Sequence, residues 1–246
     1  MMSIVLPSLN AARKIAKKSV CKSNIRQIAI ANNLYAHDNG GCFILAASDM
    51  YKSQGNMHRW HGTRKTQNDP FDFAASDLYD YLGTDGIKAC PEKVDFVKMQ
   101  PWDQDFEQGC GGYGYNMTYI GSRIWDKGFG AADKPTKEND VRNPAGTIFF
   151  ADSAMAKLNG KTPYYLEYSF VEPPFFVSGG VEQKSWGYAS PSMHFRHREE
   201  ANIVWVDGHA SSMAMAAFDR SNVYGVMSSD MLLGWPKIDN DLFDLK

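Results

Sequence analysis

The chain has 246 residues, 43% of them hydrophobic and 22% charged, which is the composition of an ordinary soluble globular protein with one large domain or one domain carrying big loop insertions. Its formal net charge is −2, unevenly placed: Arg13, Lys14, Lys17, Lys18, Lys22 and Arg26 fall between Met1 and His37, where there is no Asp or Glu, leaving 20 basic against 28 acidic residues in the remainder. An acidic body argues against a nucleic-acid function, which needs basic surface beside its readout elements.

From Ser3 to about His37 the sequence is rich in helix formers, with no Gly and one early Pro, Pro7. This predicts a single helix of roughly 30 residues, ended by the Asp38-Asn39-Gly40-Gly41 cluster. Two apolar stripes run along it. Val5, Leu9, Ala12, Ala16 and Val20 share one face. Cys21, Ile25, Ile28, Ala29, Asn32 and Tyr35 share another that points well away from the first. A helix that changes its buried side halfway has two different partners, so the second half is expected to pack on its own domain (residues 38–246) and the first half to face something else. The bland alternative is an amphipathic helix with a solvated basic face; the cations also suit anionic headgroups or acidic neighbours. There is no run of eighteen or more apolar residues, so these residues supply no membrane span. In Met1–Leu9 the charges follow the apolar residues, unlike a signal peptide.

Residues 40–112 read as loop-rich, with a short helix at Phe73–Tyr81 that turns Leu78, Tyr81 and Leu82 inward and stops at Gly83, and an extended piece at Lys88–Pro91. Gly112–Ile120 alternates aromatic and small residues as a half-buried strand does. Gly146–Asp152 is a short apolar strand closed by a carboxylate. Tyr164–Val177 is aromatic and interrupted by Pro173-Pro174, which confines any strand there to an edge. The clearest hairpin is Asn202–Val206, then Asp207-Gly208, then His209–Met215, with Asp-Gly expected in a type I′ turn. The fold class expected is α+β, an antiparallel sheet with long loops and the helix on one face.

Four cysteines, Cys21, Cys42, Cys90 and Cys110, allow three fully paired arrangements, and spacing does not choose among them. Cys90 and Cys110 bracket a Gly- and Pro-bearing loop and are the pair expected if any forms. Cys21 lies on the helix stripe, where a buried thiol serves as a small apolar group. No CxxC occurs, which disfavours a thiolate zinc site.

Three passages then coincide: Leu6-Pro7-Ser8-Leu9-Asn10-Ala11-Ala12-Arg13 running through Cys21-Lys22-Ser23-Asn24-Ile25-Arg26-Gln27-Ile28 into Tyr35-Ala36-His37-Asp38-Asn39-Gly40; Cys90-Pro91 followed by Tyr113-Gly114-Tyr115-Asn116; and His197, nine residues, then Asp207-Gly208. Together they resemble the prepilin-type proteins with an H-X9-DG processing-associated segment, relatives of type II secretion pseudopilins. The resemblance covers both ends and the middle, and is poor over 42–88 and 155–190. It implies a pilin-like fold, a structural and non-enzymatic role among other pilin-like subunits, and an inner-membrane anchor with the globular part in the periplasm or cell exterior. It also implies a peptidase site and a membrane-spanning first half of the helix. Neither occurs in these residues, so the anchor is expected to be missing from this chain.

The signature residues implied are His197, Asp207, Gly208, Asp152, Cys90, Pro91, Tyr113 and Asn116. The plain expectation for His197 is a structural lock onto a loop carbonyl or carboxylate, with Asp152 able to approach it. A metal reading draws on His194, His197, Asp207 and His209, with His58 and His61 as a second HxxH, and would suit zinc. Related pseudopilins carry a calcium-stabilised loop; the oxygen ligands here would come from Asp133, Asn139 and Asp140 or from Asp239–Asp241, although no DxDxDG loop is present. No GxSxG, HExxH or phosphate-cradling loop occurs. Gly109–Gly114 opens a strand rather than a helix, the wrong setting for phosphate. Loop tryptophans Trp60, Trp102, Trp125 and Trp186 give the alternative function, a surface-anchored carbohydrate-binding module.

Overall fold

The computed structural model describes residues 2–49, 55–83, 86–92, 94–96 and 108–246, with side chains of the first helix from Ser8 onward. It is a mixed α+β structure, one long N-terminal helix (Met2–Asp38) and several small sheets. At 1.5 Å per residue the helix spans roughly 55 Å. It ends where the sequence turns to glycine: Gly40 and Gly41 have φ of +65° and +81°, and the Gly41 N–H donates back to the Ala36 carbonyl at 2.8 Å, a left-handed termination that a Cβ disfavours. No helix among the described residues is long and apolar enough to cross a membrane.

The main sheet has five strands in the order Ala210–Ala214, Glu200–Trp205, Ile148–Asp152, Tyr113–Asn116, Phe170–Val171. Neighbours are antiparallel except the last pair, which is parallel. The central strands are buried because both faces are covered. On one face the helix sets Cys21, Ile25, Ile28, Ala29 and Ala36 against Tyr115, Phe150 and Val204. On the other, Ile148, Ala151, Ile203 and Trp205 meet Trp235 and Phe243 from the C-terminal tail. Adjacent residues Ile203 and Val204 thus serve opposite layers, as the two-residue period of a strand requires.

Burial along the helix switches at Cys21. Residues 8–16 are exposed, as are Ser19 and Val20, whereas Cys21, Asn24, Ile25, Ile28, Ala29, Ala31, Asn32 and Ala36 are buried. Leu9, Ala12, Ala16 and Val20 are therefore exposed and outside the core among the described residues; Val5 lies outside the described side chains. The exposed large apolar groups on this half are Leu9, Ile15 and Val20, and Ile15 belongs to none of the expected stripes.

Three expectations need correction. The 207–208 turn is not type I′, because only Gly208 has positive φ (+85°). Gly208 N–H donates to Trp205 O at 2.8 Å and Trp205 N–H to His209 O at 3.0 Å, a three-residue loop with a left-handed glycine. Asp207 instead accepts the His209 N–H on Oδ1 at 3.0 Å. The Phe73–Tyr81 helix is broken into a 3₁₀ turn, Phe73–Ala75, and a short helix, Tyr79–Leu82. Ser76 interrupts it, its hydroxyl donating to Trp60 O at 2.8 Å and accepting Leu78 N–H at 3.1 Å. The strand expected to reach Ile120 stops at Asn116. Its amide is held by the carbonyls of Ile148 (2.9 Å) and Phe243 (2.8 Å), and its own carbonyl accepts the Ile120 and Gly121 N–H groups, which turns the chain. Phe170–Val171 is the outermost strand of the sheet, the edge position that the following prolines demand.

Candidate functional site

Four side chains from four separate elements meet where the helix crosses the sheet. They are Cys21 from the helix, Cys90 from the loop before the Tyr113–Asn116 strand, Asp152 from the end of Ile148–Asp152, and His197 from the turn preceding Glu200–Trp205; their ligand atoms all lie within 4.8 Å of one another. Cys21 Sγ is 3.1 Å from Asp152 Oδ1, Cys90 Sγ is 3.4 Å from His197 Nε2, and His197 Nε2 is 3.4 Å from Asp152 Oδ2.

Each donor is held by its neighbours. Asn24, one helical turn beyond Cys21, donates to the carbonyls of Lys88 and Ala89 at 3.3 Å, and Cys90 N–H donates to Gly111 O at 3.0 Å; these bonds fix the Cys90 loop against the helix. Asp152 accepts the Asn202 N–H at 2.7 Å, and the Asn202 side chain donates to Lys18 O at 3.3 Å. His197 sits in a tight turn, its N–H donating to Glu200 O at 3.0 Å across Arg198 and Glu199, both at positive φ. Arg196 reaches beneath, donating to Gly112 O at 2.6 Å and Ser153 O at 2.9 Å, with its guanidinium 3.8 Å from Asp152 Oδ1. A Cβ on Gly112 (φ +77°) would lie 2.7 Å from that guanidinium, so this position is restricted to glycine on two counts. Tyr113 completes the surround, its hydroxyl 3.5 Å from Cys21 Sγ.

The site separates its two thiols. Burial, with the neighbouring Cys90 and Asp152, pushes Cys21 far up. The Cys21 hydrogen bond draws Cys90 down to about 5 against the effect of its own burial, helped by His197 and Arg196. Burial would lower His197, but its bonds to Asp152 and Cys90 outweigh that and push it up to about 9. Asp152, also penalised by burial, is held below the usual carboxylate range by Arg196, His197 and the Asn202 N–H.

A low thiol beside an imidazole suggests a nucleophile, yet the geometry is wrong for a relay. In a Cys–His–Asp relay the carboxylate holds the imidazole nitrogen remote from the sulfur. Here Nε2 faces both Cys90 and Asp152, while the buried Nδ1 has no hydrogen bond. The four donor atoms instead lie within 4.8 Å of one another, as ligands around one ion do. A cleft of about 590 Å³, lined by Lys14, Lys18, Glu92, Arg196, His197 and Glu200 among others, opens beside the cluster, and Cys90 is partly exposed.

Other residues singled out in the sequence fall elsewhere. Asp207 and His209 are exposed and pair with each other at 2.6 Å, at the far end of the Glu200–Trp205 strand from His197, roughly 20 Å away at a strand's rise per residue. The His-x9-Asp-Gly pattern thus marks two ends of one strand rather than one site. His194 is buried against the Tyr165 ring and is outside the cluster. Asp140 is paired with Arg123 at 2.6 Å, and Asp239 and Asp241 with Lys237; among the described residues the converging metal-ligand group contains none of these carboxylates. None of the four cysteines is in a disulfide, and Cys90 faces Cys21 rather than Cys110. Pro91 is half-buried beside Cys90. Trp60 is buried with its indole N–H on Ser169 O at 2.7 Å, Trp125 packs on Tyr119 and Phe176, Trp186 is exposed, and Trp102 lies outside the described residues.

The second HxxH is also split. His58 pairs with Asp49 at 3.0 Å, whereas His61 is buried, its Nε2 2.6 Å from the Ser169 hydroxyl. Burial, with Arg59 and Arg64 nearby, lowers His61 to about 3. Between the unfolded value near 6.5 and about 3 the unfolded chain binds a proton that the folded chain refuses, so stability falls as pH falls through that window. The expected slope is about 1.4 kcal/mol per pH unit for each such group. Urea midpoints from pH 7 to pH 4 check this, and His61→Gln should flatten the profile by about one proton.

Comparison with protein-family models, with curated proteins and with solved structures finds no match.

Proposed function

We infer that the protein is an extracytoplasmic, pseudopilin-like structural subunit of a type II secretion or type IV pilus-like assembly, oligomerising through its N-terminal helix. The observation that carries this reading is the switch in burial at Cys21. Beyond it the helix is the main apolar layer over the sheet, and before it roughly 20 Å of helix presents Leu9, Ile15 and Val20 to solvent. Among the described residues none of the three is part of the buried core, and Ile15 lies on the rim of the cleft beside His197. Covering them by like subunits contributes about 25 cal/mol for each Å² removed from water. On this reading the anchor lies in the inner membrane, the globular part faces the periplasm or exterior, and the partners are other pilin-like subunits.

A photo-crosslinking residue placed at Ala12 or Ala16 tests it in cells carrying the full gene. Products joining the chain to itself or to another pilin-like subunit are expected from both positions, and far fewer from Val223, an exposed site on the body. Equal yields from all three, or retention on a polysaccharide column that depends on the exposed Trp186, would favour the carbohydrate-binding alternative.

A further inference from the structure

We propose that Cys21, Cys90, Asp152 and His197 form a closed tetrahedral zinc site that staples the N-terminal helix to the sheet at the point where the helix leaves the body. Zinc takes thiolate, imidazole and carboxylate ligands at about 2.0–2.3 Å. The edges of a tetrahedron with such bonds are roughly 3.3–3.8 Å long. The gaps from His197 Nε2 to Cys90 Sγ and to Asp152 Oδ2, both 3.4 Å, lie inside that range. Asp152 meets Cys21 through its other oxygen, Oδ1, at 3.1 Å, and the four ligand atoms lie within 4.8 Å of one another, so seating the ion needs a turn of the carboxylate and a closing of the remaining gaps.

Two sulfurs, one nitrogen and one oxygen select against calcium and magnesium, which want oxygen alone. Four protein ligands leave no open position, the pattern of a structural rather than a catalytic centre. Binding needs both sulfurs as thiolates and His197 as a neutral imidazole; the two protons released to solvent come from the Cys21 thiol and the His197 imidazolium, Cys90 being ionised already. The doubly charged ion, two thiolates, the Asp152 carboxylate and the Arg196 guanidinium then sum to zero charge in a buried place. The cleft beside His197 supplies a way in. The inference is independent of the assembly reading, because it concerns how the helix is held and not what covers its exposed half.

The test is the metal content of the full chain purified under reducing conditions without chelator, measured by plasma mass spectrometry, with cobalt as a spectroscopic substitute. One zinc per chain is expected, removed by a strong chelator with a fall in melting temperature. The cobalt form should show tetrahedral d–d bands and a thiolate charge-transfer band, both lost in Cys21→Ser and in Cys90→Ser and kept in Cys110→Ser. If the Cys21 variant fails to fold, the Cys90 variant, altered in a partly exposed loop, still decides. Metal-free protein with both thiols free, a Cys21–Cys90 disulfide found by non-reducing peptide mapping, or cobalt bands that survive the Cys90 variant would each overturn the proposal.

Discussion

Replacing Asp152 with alanine is expected to cost about 3–5 kcal/mol of folding stability, the range found when one partner of a buried ion pair is removed. Asp152 is fully buried, and so is the Arg196 guanidinium facing it. Without the carboxylate that cation keeps two backbone carbonyls but loses its ion-pair partner, and the buried Asn202 N–H loses its acceptor. The loss is a large part of the 5–15 kcal/mol that holds a typical domain together. Asp152→Asn keeps an acceptor for Asn202 and should fall between wild type and Asp152→Ala. Asp207, which belongs to the same sequence signature, is exposed and pairs locally with His209, so Asp207→Ala should cost less than about 1 kcal/mol. Urea unfolding of the three variants checks the ranking; similar losses at 152 and 207 would mean that the buried charge pair is not what holds the sheet end to the helix.

The second large effect lies on the helix itself. Ile25 is fully buried in the layer between helix and sheet, and Ile25→Ala removes core volume at a cost of roughly 2–5 kcal/mol. Ile15 lies less than three turns earlier and is about half exposed. Alanine there should change the stability of the isolated chain by no more than about 0.5 kcal/mol. The same substitution on the same helix thus separates the half that belongs to the fold from the half that does not.

The residues that made the fold legible are those with a local period. Cys21, Ile25, Ile28, Ala29 and Asn32 were separable from Leu9, Ala12 and Ala16 because helical spacing alone puts the two sets on different faces. The Gly146–Asp152 strand and the Asp207-Gly208 hairpin announced themselves by β-branched and aromatic runs beside a glycine turn. The turn type was not legible, because Asp207 bonds to His209 N–H and stays out of the left-handed region that Asp-Gly usually takes. Nor was the Cys21–Cys90–Asp152–His197 cluster. Its members lie 69, 62 and 45 residues apart in sequence, each on a different element, whereas short motifs report only ligands that share one turn or loop. One edge of it was legible: Asp152 closes an apolar strand, a carboxylate at that place in a buried sheet needs partners, and its approach to His197 is found at 3.4 Å; nothing in the sequence brought Cys21 to the same place. Cys21 looked like a small apolar residue, and its burial is indeed complete; what the pattern hid was the company it keeps.

Assembly of an Ile15→Asp, Val20→Asp double variant tests the shared-helix account most directly. Two carboxylates on the solvent-facing half should leave the melting temperature of the isolated chain near wild type while removing the chain from envelope complexes in co-sedimentation. Normal co-sedimentation with both charges in place, or a loss of stability as large as that of Ile25→Ala, would contradict it.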